Sequence, residues 1–172
     1  MKMRQSKHFI KAIEVEGYVL PQEWEQIDAF LNSKKFKFST LDLSRVTNVN
    51  IPKEAFINSA NLQEVVLPEN LVTIEKSAFE NCISLKRVYF SKTLKKIEEN
   101  AFKNCSLEHF IAPKTLEFLG NKAFLNNRFL SNIKLNENLE FLGEDVFLCE
   151  NDFVKTAPIK TVKEFAFDEN EF

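Results

Sequence analysis

The chain has 172 residues, 44% hydrophobic and 28% charged, a length and balance that suit one folded domain and exclude bulk disorder. Its 23 basic and 25 acidic residues leave a formal net charge of -2, too even for a global attraction to nucleic acid or anionic lipid. Phe supplies 18 of the aromatics against one Trp and two Tyr, and Gly occurs only 3 times, which argues against glycine-rich phosphate-binding loops.

The start, Met1 to His8, is basic, and only short mixed segments come after it. No stretch matches a secretory leader or the ~20 apolar residues of a membrane helix. The expectation is an intracellular chain, or a mature fragment begun by Met. Ile13-Glu14-Val15-Glu16-Gly17-Tyr18-Val19 alternates as a strand does. Leu20 to Leu31 reads as an amphipathic helix, with Pro21 in its first turn, acids early, and Trp24, Ile27, Phe30 and Leu31 on one face. Residues 10–37 are expected to close one end of a repeat array that begins at residue 38. The division is therefore a cap at 1–37 and repeats at 38–172, continuous in one domain.

From residue 38 the sequence repeats. Ala-Phe recurs at Ala55-Phe56, Ala78-Phe79, Ala101-Phe102, Ala123-Phe124 and Ala166-Phe167, with Val146-Phe147 filling the gap. The Phe spacings are 23, 23, 22, 23 and 20. Leu62-x-x-Val65-x-Leu67 falls in register with the segments that begin at Leu85, Leu107 and Leu130. Leu71-x-x-Ile74 matches Leu94-x-x-Ile97, Leu116-x-x-Leu119 and Leu139-x-x-Leu142. The units are 38–61, 62–84, 85–106, 107–129, 130–152 and 153–172. Within each, Val65 and Leu67 type positions share one strand face. Pro68 and Pro113 come just after the strand, where a missing N–H costs little. Asn70, Thr93, Thr115 and Asn138 are placed to bond nearby backbone and fix a turn. Ile74-x-x-x-Ala78-Phe79 has the spacing of a short helical or 3-10 turn. Asn58, Asn81, Asn104 and Asn126, each two after the Phe, suit a left-handed exit from it. No unit of this length buries its own apolar face, so neighbours must stack, with Phe as the inward ladder.

The pattern L-x-x-V-x-L-P-x-x-L-x-x-I-x-x-x-A-F-x-x-C closely resembles the BspA-like class of leucine-rich repeats over about residues 38–167. Cys82 and Cys105 match its Cys position, and Cys149 lies one residue early. Members often open with a strand, a helix and then an L-x-L-S strand, which Leu41-Asp42-Leu43-Ser44 resembles. The resemblance implies an α/β repeat solenoid: a right-handed superhelix with a parallel sheet on its concave face, short helical or 3-10 turns opposite, and an N-terminal helical cap. It also implies surface or secreted roles in adhesion and protein binding.

Chemistry is sparse. His8 and His109 are the two histidines, and neither has a nucleophile motif beside it. No catalytic residue, cofactor site or metal site is expected. Cys82 and Cys105 read as small buried hydrophobes rather than a redox or metal pair. Asn104-Cys105-Ser106 is a formal glycosylation sequon at a packed turn. Lys95-Lys96 and Lys34-Lys35 read as solvated surface. Strand alternation gives a stronger candidate. One outward column reads Thr40, Glu64, Arg87, His109, Asn132, and the other reads Asp42, Val66, Tyr89, Ile111, Lys134. Val66, Tyr89 and Ile111 would form an apolar stripe on a wet face, with Arg87 and His109 beside it and Asp42 and Lys134 at its ends. Such a rimmed strip is the form of a protein contact site. The plainer alternative is that β-branched and aromatic residues favour strands wherever they lie.

The sequence thus predicts a non-enzymatic recognition or adhesion module that binds a protein partner through this face, without nucleic-acid binding or membrane insertion. The alternatives are a spacer within a longer array and an intracellular interaction module. A monomer is expected, with end-to-end association as the other arrangement. Acids at Asp168, Glu169 and Glu171 would shield the last unit, or the chain would continue.

Overall fold

The structure, a computed structural model, describes residues 1–5, 12–33 and 39–149. His8, Lys34-Lys35, the unit at 153–172 with its Ala166-Phe167, and the terminal acids lie outside the described residues.

In chain order the elements are β1 (Lys2–Gln5), β2 (Ala12–Gly17), α1 (Pro21–Leu31), β3 (Thr40–Val46), β4 (Asn50–Ile51), β5 (Glu64–Val66), β6 (Thr73–Ile74), β7 (Arg87–Tyr89), β8 (Lys96–Ile97), β9 (His109–Ile111), β10 (Phe118–Leu119), β11 (Asn132–Lys134) and β12 (Phe141–Leu142). The chain winds as a solenoid whose successive coils pair in parallel. The repeat at 38–61 gives the seven-residue β3 and the two-residue β4, and each of the next four gives one three-residue strand and one two-residue strand. The longer strands form the sheet β1-β2-β3-β5-β7 and the pair β9-β11; the shorter ones form β4-β6-β8-β10-β12. Among the described residues only β1 runs antiparallel, against β2. Parallel neighbours about 20 residues apart require a crossover, which in proteins is nearly always right-handed.

The turn around each Phe is not a continuous helical one. Residues two before and two after it hold left-handed backbone: Ser77 (φ 55°) and Asn81 (φ 61°) bracket Phe79, and Asn100 (φ 57°) and Asn104 (φ 56°) bracket Phe102. Alternate N–H groups therefore leave the coil. Ser77, Phe79 and Asn81 donate to the carbonyls of Glu99, Ala101 and Lys103 in the next coil, at 2.8–3.0 Å. Between them Ala78, Glu80 and Cys82 donate back three residues, to Glu75, Ser77 and Phe79. The helical period foreseen from the sequence survives only in these isolated backward bonds. Asn takes all four left-handed exit positions, Asn58, Asn81, Asn104 and Asn126, as its tolerance of positive φ predicts. Its side chains add an amide ladder: Nδ2 of Asn81, Asn104 and Asn126 donates to Oδ1 of Asn58, Asn81 and Asn104 at 2.9, 2.7 and 3.1 Å.

Inside the coils Phe56, Phe79, Phe102 and Phe124 are fully buried. Their rings stack at centroid distances of 5.2, 5.1 and 5.3 Å, and Phe147 continues the column at 5.5 Å. Ala78, Ala101 and Ala123 are wholly buried beside them, where a larger side chain would hold the coils apart. Asn70, Thr93, Thr115 and Asn138 all bond between coils, and Thr93 also bonds within its own turn, its Oγ1 lying 2.7 Å from Ser91 Oγ. Thr115 Oγ1 donates to the carbonyls of Lys92 and Leu94 at 2.8 Å, and Asn138 Nδ2 to that of Lys114 at 2.8 Å.

Before the first repeat, α1 starts where Pro21 needs no N–H partner. Glu23 closes its first turn, accepting the Leu20 N–H at 2.7 Å. Trp24, Ile27 and Leu31 are buried. The Trp24 indole meets Phe56 edge-on at 5.8 Å, so the first Phe of the column is covered by a helix residue. Asp28 accepts from Ser59 Oγ and from Asn32 Nδ2, which fastens α1 to the first repeat, and burial pushes the Asp28 carboxyl up.

Candidate functional site

Strand alternation places the outward columns as foreseen, because the buried residue between them fixes which way each strand faces. Leu41, Val65, Phe110 and Ile133 are buried, and the residues on either side point out. The registers set Thr40, Glu64 and Arg87 in one row and Asp42, Val66 and Tyr89 in the other. Beyond them, His109 pairs with Asn132 and Ile111 with Lys134. Tyr89 is 51% exposed and Ile111 56%, while Val66 is half-buried. His109 is exposed, as expected of a strand residue, and Asp42 is half-buried and accepts the Ser44 N–H at 2.9 Å.

The stripe has a seam that the residue pattern did not reveal. Strands β7 and β9 do not join in one ladder, so the sheet divides between Tyr89 and Ile111. Ser106 to Leu85 (3.0 Å) and Glu108 to Lys86 (3.3 Å) connect the coils just before the strands. The cause is a loop one residue shorter. Asn81-Cys82-Ile83-Ser84-Leu85 and Asn126-Asn127-Arg128-Phe129-Leu130 are matched by Asn104-Cys105-Ser106-Leu107. This is the physical content of the single 22-residue spacing.

The electrostatics centre on Glu64. Arg87 Nη2 and Nε donate to its Oε2 at 3.0 and 3.3 Å, across the strand pair. Hydrogen bonding to the same carboxylate, and its charge, raise the Tyr89 phenol above its ordinary value. A second negative charge beside a carboxylate is disfavoured, so the neutral phenol persists to higher pH. With Tyr18→Phe as background, Tyr89 is the sole tyrosine. Glu64→Gln is then expected to move the 295 nm absorbance transition to lower pH. An unmoved midpoint would contradict the Glu64–Tyr89 contact.

Two of the three thiols lie in the core. Cys82 and Cys105 are buried, and their Sγ groups lie 3.0 and 3.2 Å from the carbonyls of Phe56 and Phe79 in the preceding coil. Burial pushes the Cys105 thiol well up, away from the reactive thiolate. Asn104 of the sequon is half-buried and engaged in the amide ladder. Lys95 and Lys96 pair with Glu117 and Glu98, each at 2.9 Å. Among the described residues no cluster of three metal-ligating side chains occurs, and no helix is long and apolar enough to cross a membrane.

Two features escaped the sequence reading. Phe118 and Phe141 stack at 4.5 Å on the outer face of the short-stranded sheet, with Lys96 Nζ 4.9 Å from the Phe118 ring. The residue before each inward Ile or Leu of that sheet carried the signal. The other is a groove of about 490 Å3 at the shortened loop.

The family described as BspA type leucine rich repeat region matches residues 49–171 in six copies. Among solved structures the chain is similar to the leucine-rich repeat protein of T. pallidum, at 22% identity and a TM-score of 0.63, over 86% of this chain and 63% of that one. It is similar to a leucine-rich repeat protein from Bacteroides ovatus at 21% identity and a TM-score of 0.60, over 85% and 42%. Against the pneumococcal vaccine antigen PcpA the values are 20% and 0.54, over 62% and 28%. The chain spans less than two thirds of the length of each of these proteins, and at such identities the likeness is one of fold. No curated protein matches the chain.

Proposed function

The chain belongs to the family of BspA-type leucine-rich repeat proteins, and from that premise we propose that it is a non-enzymatic protein-recognition module. It binds through the outward face of the longer-stranded sheet. The observation that carries this reading is the row Val66, Tyr89, Ile111: two large apolar side chains stay more than half exposed between the Arg87–Glu64 pair and His109 on one side and Asp42 and Lys134 at the ends. An apolar centre with a polar rim is the anatomy of a protein contact, and Tyr and Arg are frequent hot-spot residues. The stacked coils hold these groups in place before binding, so little ordering is needed on association. A surface or secreted adhesion setting fits the family. Residues 1–37 serve as the cap of the array; support comes from Trp24 lying over the first Phe of the column.

Site-specific photocrosslinking tests the face. A photoreactive residue at Ile111 is expected to trap a protein partner, whereas one at Lys114, beyond the strand, is not. Trapping at Lys114 with none at Ile111 would overturn the assignment.

A further inference from the structure

We propose that the groove at the shortened loop is a second recognition site, for an extended peptide segment of another protein that carries acidic and aromatic side chains. In the neighbouring coils three residues separate the exit Asn from the next Leu; here only Cys105 and Ser106 do. The missing residue leaves a gap of about 490 Å3 between the loops on either side. Its floor is pinned, since Ser106 Oγ donates to the Ile83 carbonyl at 2.6 Å and the amides of Asn104 and Asn126 are tied into the ladder.

The walls show what it takes. Ile83 on one side is 61% exposed and Phe129 on the other 64%, the two most exposed large apolar side chains among the described residues. That both stand at one groove marks it as a contact surface rather than scattered surface apolarity. Arg128 also lines it and has no ion pair among the described residues, and no carboxylate lines the groove. In a chain with more acids than bases, an unopposed guanidinium between two apolar walls is complementary to a carboxylate beside an apolar side chain. The carboxylate would meet Arg128, the aromatic ring would lie between Ile83 and Phe129, and the ladder amides would face the peptide backbone. The site lies ahead of β7, β9 and β11 and does not share the Val66–Tyr89–Ile111 row.

The test is a 15N NMR titration of the whole chain with a blocked pentapeptide, Asp-Phe-Glu-Phe-Asp, against its counterpart with Lys at each acidic position. The acidic peptide is expected to shift the amides of Ser106, Arg128 and Phe129. Arg128→Glu is expected to weaken it about tenfold or more, Phe129→Ser to weaken it comparably, and Tyr89→Asp/Ile111→Asp to leave it unchanged. No shifts at the groove, equal binding of the Lys peptide, or unchanged affinity in Arg128→Glu would overturn the proposal. Shifts confined to Val66, Tyr89 and Ile111 would also overturn it, and would assign the peptide to the sheet face.

Discussion

Phe102→Ala is expected to lower folding stability by about 3–5 kcal/mol, measured by urea denaturation. Phe102 is fully buried, stacked on Phe79 at 5.1 Å and Phe124 at 5.3 Å, with Phe90 edge-on at 5.8 Å. Truncation removes a ring of about 150–250 Å2 buried area from the middle of the column. The neighbours cannot close the space, because their backbones are fixed at coil spacing. Phe79 N–H donates to the Ala101 carbonyl and Phe102 N–H to that of Ala123, both at 2.8 Å. A rigid site keeps its cavity, which places the loss at the upper end for its type. Since each coil rests only on its neighbours, the lesion also weakens the coupling of the two halves. A loss below about 1 kcal/mol would refute the inward ladder.

Asn127→Ala is expected to cost about 2–6 kcal/mol, the penalty of leaving two buried backbone groups unsatisfied at roughly 1–3 kcal/mol each. Asn127 stands where Cys82 and Cys105 stand in their repeats, three after the Phe. In the repeats beside it, Leu85 and Leu130 N–H donate back three residues to the carbonyls of Cys82 and Asn127. The shortened loop denies Leu107 that bond, and Asn127 Oδ1 accepts its N–H instead, at 3.2 Å. The carbonyl of Phe79 receives the Cys82 N–H and the Cys105 thiol; that of Phe102 receives the Asn127 Nδ2 amide, at 2.8 Å. A thiol is a weak donor and no acceptor for Leu107 to match an amide oxygen. Asn127→Cys, which restores the repeat's consensus, is therefore expected to destabilise too. Inserting one Ser after Ser106 should recover that loss by giving Leu107 its local acceptor. Asn127→Cys at wild-type stability would show that the short loop needs no compensation.

These cases mark how far the residues alone carried the fold. The Phe column, its Ala neighbours and the outward rows were legible because one period of about 23 fixes every coil against the next. The left-handed Asn positions were legible because few residues tolerate that backbone. The bonds of Thr115 and Asn138 to the coil behind, the amide ladder and the rescue of Leu107 were not. They depend on which atoms meet across coils, and a linear pattern carries no such distances. The 22-residue spacing was visible, but its results, a divided sheet and an open groove between Ile83 and Phe129, required the hydrogen-bond arrangement. The stripe was legible as residue types, and its seam was not. The second sheet went unseen because two-residue strands are too short to show alternation.

The central claim, recognition through the sheet face, is tested most directly by paired capture. Wild-type chain and Tyr89→Asp/Ile111→Asp are immobilised at equal density, after matching melts show that both are folded. The account predicts a protein held by the wild type and absent from the double variant. Equal retention of that protein by both would contradict it.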